Sequence, residues 1–446
     1  MLRRIKIGIL AILVLYTLPV HVIAQNPILP VGTYIADPSA RVWNDGKIYI
    51  YGSRDESVDY YCSYDHYVIS SHDLIHWDIQ KDAFHSRGDL DEVPYNDDLL
   101  WAPDCAFKDG KYYLYYCQPD MKNPEGVAIS TSPNGPFKNA KALNIGKHTQ
   151  IDPAVFIDDD GQAYYLWGQF SMKMAKMNPD MTSLDESSIR DNIITEDGHF
   201  FHEGAFMAKR NGMYYLVYAD ISRAGRPTSI GYATSKTPFG PYKYGGVIID
   251  NDNSDPAVWN NHGSIVEFKG KWYVLYHRSS HGTVMMRRTC IEPITFNDDG
   301  SIPEVEMTSQ GAGKPLDIYS DIEVERACLL HGNAQFQLWN PNNEELAKIN
   351  NNDRAIFRYV DFGNGGVKTV EFKVSPGKYL GDIAINIGKP WHQRIALVNV
   401  PARKGDEKWI TVTADVSATG GVHELWLTFL GEGNELFSVD KFCFKK

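Results

Sequence analysis

Three acidic residues stand nine positions ahead of a glycine turn: Asp37 in Ala36-Asp37-Pro38 before Gly46, Asp152 in Ile151-Asp152-Pro153-Ala154 before Gly161, and Glu203 in His202-Glu203-Gly204-Ala205 before Gly212. Two related positions carry Asp104, in Trp101-Ala102-Pro103-Asp104, and His262, in Asn261-His262-Gly263-Ser264, ahead of Gly110 and Gly270. Two carboxyl groups flanking a glycosidic bond are the minimum equipment for hydrolysing it, one giving a proton to the leaving oxygen and the other activating water or attacking directly. A third carboxylate beside the acid would raise its proton affinity by like-charge repulsion, toward working pH. A single Asp-Pro reads as a turn former. Three equally phased acids read as a site.

Something must aim these side chains at one another. After each of the five glycines runs an aromatic-rich strand: Ile48-Tyr49-Ile50-Tyr51, Tyr112-Tyr113-Leu114-Tyr115, Ala163-Tyr164-Tyr165-Leu166, Met213-Tyr214-Tyr215-Leu216 and Trp272-Tyr273-Val274-Leu275. Asp-Gly and Asn-Gly suit tight hairpins, and the flanking residues have high β propensity. Further strands follow in most units, such as Tyr67 to Ser71, Val127 to Thr131 and Ile230 to Thr234. Four strands in each unit of roughly 50 residues, with no amphipathic helix between them, predict an all-β chain whose first part is a five-bladed β-propeller. The first strand of a blade lines the central channel, so the five polar positions converge on the axis. Charged groups gathered there perturb one another's titration, which marks a candidate functional site.

The 446 residues carry 56 Asp and Glu against 44 Lys and Arg, a net charge of −12, which argues against a nucleic-acid partner because backbone phosphates need clustered cations. Arg3, Arg4 and Lys6 followed by an apolar run and Val22-Ile23-Ala24 predict a secretory signal over residues 1–24, too short in its apolar part for a membrane span. A secreted or periplasmic location and no membrane span in the mature chain are therefore expected. Export permits disulfides among Cys62, Cys105, Cys117, Cys290, Cys328 and Cys443, whose pairing the sequence leaves open.

Taken together, Ala36-Asp37-Pro38, Trp101-Ala102-Pro103-Asp104, Ile151-Asp152-Pro153-Ala154-Val155-Phe156, Glu203-Gly204, and His262-Gly263-Ser264 with Tyr276-His277-Arg278 resemble glycoside hydrolase family 43, over residues 30 to about 310. The resemblance implies a five-bladed propeller that inverts the anomeric centre, acting mainly on arabinose- and xylose-containing polysaccharides. It implies Asp37 as general base, Glu203 as general acid, and Asp152 as the residue that orients the acid and raises its pKa. It also implies substrate contacts by Trp101, Arg278 and His262, the last matching a histidine that in several members helps hold a metal ion, often calcium, on the axis.

After Gly311-Ala312-Gly313-Lys314-Pro315 the pattern changes to short alternating strands, including Ala355 to Val360, Thr369 to Val374, Trp409 to Thr413 and Glu424 to Phe429. These predict a β-sandwich (jelly roll) over 316–446, following a propeller over 25–315. The segment resembles a family 6 carbohydrate-binding module, which implies a structural calcium at Glu323, Glu325 and Asp440. One departure is plain: the loop Arg403-Lys404-Gly405-Asp406-Glu407-Lys408 before Trp409 offers no aromatic ring to a sugar, leaving Trp339 or Trp391 for another site. The expectation is a monomeric inverting hydrolase without an organic cofactor. It would release pentose, α-L-arabinofuranose first, from oligosaccharides or polysaccharides. A β-xylosidase or endo-arabinanase is the alternative within the family, and a non-catalytic glycan-binding propeller the alternative outside it. Pocket depth is expected to depend on the loops Asp55 to Asp65, Asp89 to Asp98 and Ser222 to Thr228.

Overall fold

A computed structural model describes residues 25–119, 125–145, 151–223 and 225–446; the expected export signal lies outside them. Consecutive antiparallel strands build five sheets around an axis. Blade 1 holds β1 (Tyr34–Val42), β2 (Ile48–Asp55), β3 (Asp65–Ser71) and β4 (Asp78–His85), and blade 2 holds β5 (Trp101–Lys108), β6 (Lys111–Cys117), β7 (Gly126–Ser130) and β8 (Lys138–Ala142). Blade 3 is β9 (Ala154–Ile157), β10 (Ala163–Trp167) and β11 (Lys173–Lys176), and blade 4 is β12 (Phe201–Arg210), β13 (Met213–Asp220), β14 (Ser229–Ser235) and β15 (Lys243–Asp250). Blade 5 is β16 (Ser264–Phe268), β17 (Lys271–Arg278) and β18 (Arg288–Ile294). Blades 3 and 5 thus have three strands where four were expected. Past β11 the chain pairs back through isolated bridges, Met177 with Leu184, Met174 with Arg190 and Ser171 with Thr195.

The second strand of each blade has no polar face, and the packing explains why. Successive side chains of a strand point to opposite faces, and here both faces are buried. On β2, Ile48 and Ile50 enter the core shared with blade 5, while Tyr49 and Tyr51 enter the core shared with blade 2. On β13, Tyr214, Leu216 and Tyr218 face blade 3, and Tyr215 and Val217 face blade 5. Five inter-blade cores result, each filled mostly from these strands. The hairpins feeding them are tight: Asp109 (φ 51°) and Gly110 (φ 79°) form a two-residue turn with both φ positive, which Asp-Gly tolerates.

The ring is closed by the start of the described chain. The Ile28 N–H donates to the Thr289 carbonyl (3.0 Å) on β18, and the Asn26 side chain bonds Ile291 in both directions (3.1 and 2.9 Å). This segment therefore runs along the outer side of the last blade while β1 begins the first.

Two six-stranded sheets follow, with strands β19 (Leu316–Asp317), β20 (Ile322–Glu323), β21 (Leu329–His331), β22 (Gln335–Asn340), β23 (Asn343–Ala347), β24 (Arg354–Asp361), β25 (Thr369–Pro376), β26 (Gly381–Ile387), β27 (Arg394–Val400), β28 (Ile410–Asp415), β29 (Val422–Gly431) and β30 (Phe437–Lys445). One sheet runs β19-β24-β29-β26-β27 with β21 on β24, the other β22-β23-β30-β25-β28 with β20 on β30. Their inner faces form one core that includes Phe357, Phe372, Phe429 and Phe442. The sandwich is fixed to the propeller by direct bonds: the Arg326 guanidinium to the Pro27 carbonyl (2.6 Å), the Leu330 N–H to the Asn253 carbonyl (2.7 Å), and the Tyr359 hydroxyl to Glu306 (2.6 Å).

Candidate active site

A backbone irregularity recurs where the innermost strands begin. Asp37 (φ 51°), Ala102 (φ 24°), Asp152 (φ 61°) and Gly204 (φ 68°) all lie in the left-handed region, and register shifts accompany it on β1, β5 and β12. Bulges of this kind re-aim a side chain, and here they turn the two aspartates toward the axis. Glu203 arrives differently from its shared nine-residue offset. It precedes the irregular position, which is glycine. A Cβ on Gly204 would lie 2.7 Å from the His262 ring, so the imidazole occupies the space a side chain would fill.

Asp37, Asp152 and Glu203 line one pocket of about 230 Å³ with Trp101 and His262. This lies below the ~300–1,000 Å³ usual for ligand sites and suits one monosaccharide. Asp37 and Asp152 are each 6% exposed. Burial alone would raise the Asp37 carboxyl, but the Arg287 guanidinium, then His262 and His277, outweigh it and hold it well below the usual carboxylate range. Arg287 is itself pinned. Its Nε and a terminal nitrogen bond both oxygens of Asp55 (2.9 Å each), leaving the other terminal nitrogen for Asp37 (2.8 Å). Bidentate charge-assisted bonds fix orientation as well as energy, so Asp55 aims Arg287 and Arg287 holds Asp37.

A hydrogen-bonded chain joins Asp37 to Glu203. The Asp37 N–H donates to His277 Nδ1 (3.2 Å), which fixes the proton on Nε2, and Nε2 faces the Asn260 carbonyl (3.1 Å). Asn260 Nδ2 donates to Glu203 Oε1 (3.3 Å), and Gln169 Nε2 donates to Glu203 Oε2 (2.8 Å). Burial, with Arg287 nearby, lowers His277 to about 3, so its 3.5 Å approach to Asp37 is not an ion pair. His262 is the opposite case. Burial opposes its charge, but Asp37, Asp152 and Glu203 together raise it to about 9, and its Nδ1 lies 3.5 Å from Asp37.

Burial pushes Asp152 up to about 8; His262 opposes the shift, and the Glu203 and Asp37 charges add to it. These directions set a pH profile. Asp37 is ionised throughout the acid range, whereas the proton retained by Asp152 is lost as pH rises through about 8 and that of His262 through about 9. The kcat/KM profile, which reports the free enzyme's groups, is accordingly expected to fall as pH rises above about 8. A profile still rising through pH 9 would contradict this protonation scheme.

Other expectations need correction. Arg278 does not reach the pocket: it follows His277 on β17, so it points to the opposite face, where it bonds the Tyr276 hydroxyl (2.6 Å) and the Thr308 carbonyl (2.8 Å). Asp104 lies below the pocket, where it accepts from Ser39 (2.5 Å) and binds Arg41 (2.5 Å). Arg41 also bonds the Val155 carbonyl (2.9 Å) and stacks on Phe206 (4.2 Å), plugging the channel between this pocket and a separate opening at the opposite end lined by Trp43, Phe156 and Trp272. Of the three loops expected to shape the pocket, only Asp55 to Asp65 lines it among the described residues, through Tyr61 and Cys62. Trp259 and Asn260 come from the loop before β16, which sequence reasoning passed over. It also passed over Arg287, Gln169 and His202.

The acids Glu323, Glu325 and Asp440 are not gathered for a cation. Asp440 Oδ1 accepts the Trp339 indole hydrogen (3.1 Å) and Oδ2 pairs with Lys373 (2.8 Å). Glu323 lies 3.8 Å from Lys441, and burial pushes Glu325 up to about 7. Among the described residues no three His, Cys, Asp or Glu side chains converge as a metal would require. All six cysteines are buried free thiols. Trp339 packs on Trp409 with ring centres 5.1 Å apart, supplying the ring the loop lacks, but Lys373 and Lys408 lie over both. Trp391, 77% exposed, stands well out in solvent.

Inner strands of a five-bladed ring delivering three carboxyls, an arginine and a histidine into one pocket define a glycosidase centre, and relatives of known kind agree. The Glycosyl hydrolases family 43 profile matches residues 24–302, and that of Carbohydrate binding module (family 6) matches 332–446. The chain belongs to glycosyl hydrolase family 43. A "Xylosidase/arabinosidase" of Thermoclostridium stercorarium is 32% identical over 94% of this chain and 98% of its own. An "Arabinoxylan arabinofuranohydrolase" of Bacillus subtilis (strain 168) is 28% identical over 96% and 94%. The crystal structure of a family 43 arabinoxylan arabinofuranohydrolase from Bacillus subtilis, in complex with cellotetraose, superposes with TM-score 0.53 and 27% identity over 95% of this chain and 99% of that one. The propeller alone superposes on the GH43_1 enzyme from Xanthomonas citri complexed with xylose (TM-score 0.56, 28% identity, 65% of this chain and 95% of that one).

Proposed function

We propose that this glycosidase is exported and removes single pentose units, α-L-arabinofuranose first, from arabinoxylan-type chains with inversion. The observation that carries this reading is the placement of Asp37 and Glu203 on non-adjacent blades of one small pocket, each with its own partners. Asp37, kept ionised by Arg287, takes the proton of the attacking water. Glu203, oriented by Gln169 and Asn260, protonates the leaving oxygen, while Asp152 and His262 hold the pocket's remaining charge and proton. Water as nucleophile and two carboxyls suffice, so the reaction needs no organic cofactor. The plug formed by Arg41 and Asp104 supports release of one unit at a time. Names of whole-length relatives support pentose, and the basic, apolar start of the sequence supports export.

A β-xylosidase is the second reading, favoured by the same double-named relative. The deciding measurement compares release of p-nitrophenol from the α-L-arabinofuranoside and the β-D-xyloside, with proton NMR of the first sugar formed. Faster arabinofuranoside turnover with an inverted anomer is expected. A retained anomer would remove water activation from Asp37, and binding of glycan without any release would make the propeller a lectin.

A further inference from the structure

We infer that Glu344 of the sandwich is a positioning residue for the propeller's base, so that the two domains form one catalytic unit; this rests on the glycosidase reading above. Glu344 lies on β23, and its carboxylate is fully buried, 0% exposed. Oε2 binds Arg288 (2.7 Å), while Oε1 accepts from the Tyr34 hydroxyl (3.0 Å) and lies 3.6 Å from His281. Arg288 also stacks on Phe336 of the sandwich, 4.8 Å from the ring centre.

These propeller partners are the chain neighbours of the site. Arg288 opens β18 directly after Arg287, and the two side chains part to opposite sides: Arg287 to Asp37 and Asp55, Arg288 to Glu344. Tyr34 begins β1, three residues ahead of Asp37. One carboxylate from the second domain thus ties down both the strand that presents the base and the segment that presents its guanidinium partner. A second tie restrains the same segment: Gln335 Nε2 donates to the His281 carbonyl (3.2 Å), and Gly282 packs so closely on Gln335 that a Cβ there would lie 2.1 Å from its oxygen.

The groups facing Asp37 are Arg287, His262, His277, Asp152 and Glu203, with Asp55, Tyr61 and Cys62 behind Arg287. Those around Glu344 are Arg288, Tyr34, His281 and, more distantly, Glu325. Loosening Arg288 lets Arg287 drift, which weakens the largest of the charges that keep Asp37 ionised. A displacement of about 1 Å at such a group costs up to ~10²-fold in rate.

The test is Glu344→Gln in the full chain, assayed on an aryl pentoside too small to touch the sandwich. We expect kcat to fall about 10- to 100-fold and KM to stay within about twofold. Tyr34→Phe, which removes one hydrogen bond and keeps the ring, is expected to move the same quantities in the same direction by less, and it decides the matter if the first variant does not fold. Lower melting temperature with wild-type kcat and KM would overturn the proposal, leaving Glu344 a structural bridge. Carboxyl carbon NMR of Asp37, assigned with Asp37→Asn, reads the same displacement without turnover. An Asp37 carboxyl chemical shift unchanged in both variants would overturn the proposal even if the wild type proved inactive on every glycoside, a result that would itself sink only the glycosidase reading.

Discussion

Asp37→Asn is expected to lower kcat by about 10²- to 10⁴-fold, the range for losing a positioned general base, while sugar affinity changes by no more than a few-fold. The amide is nearly isosteric with the carboxylate but cannot take a proton from water. The surroundings limit collateral damage. Arg287 keeps both bonds to Asp55 (2.9 Å each), so its charge remains paired after the bond to Asp37 is lost. A buried arginine stripped of its only partner would cost about 3–5 kcal/mol; here the loss should be well below that. Steady-state kinetics on an aryl arabinofuranoside, calorimetric binding of arabinose and a melting curve together check this. Retained turnover would move water activation to another group, and loss of sugar binding alongside turnover would make Asp37 a binding residue instead.

Glu203→Gln should discriminate between leaving groups. On a natural disaccharide or oligosaccharide the departing alkoxide needs a proton, and the loss should again reach about 10²- to 10⁴-fold. A p-nitrophenyl glycoside departs as a stabilised phenolate, so its loss should be much smaller. The reason to expect a folded variant lies in the partners: Gln169 and Asn260 both donate to this carboxyl, and each is an amide that can turn its oxygen toward the new NH₂. Parallel kcat/KM measurements on the two substrate types provide the test. Equal losses on both would exclude Glu203 as the proton donor.

The parts of this molecule written as local chemistry were readable in its sequence. Turn glycines after Asp or Asn announce hairpins, and Tyr-rich second strands are apolar through their central positions because blades bury both of their faces. The phase of the acids relative to those turns was enough to collect Asp37, Asp152 and Glu203 in one pocket. What escaped was written in three dimensions. Arg287 sits beside Arg288 in a stretch that reads as exposed, yet each is less than 10% exposed, and each meets a carboxylate more than 50 positions away in sequence. Arg278 stands in the run Tyr276-His277-Arg278 that carries the family resemblance; alternation turns His277 toward the Asp37 backbone and Arg278 away. Asp104 shares the sequence position of its counterparts only approximately, and the bulge at Ala102 sends it below the floor. Strand counts in blades 3 and 5 were overestimated because the spacing of turns fixes the length of a unit, not whether its last segment finds a pairing partner.

The Arg41 and Asp104 pair beneath the pocket has a kinetic corollary. On the proposed single-unit release, the liberated monosaccharide would leave through the mouth by which the polymer entered. Every cleavage would then end an encounter: the remaining chain would have to withdraw before the free sugar could follow, and accumulating free sugar would compete for the same vestibule. Distributive trimming is the expected outcome, with many partly shortened molecules at early times instead of a few that are fully stripped.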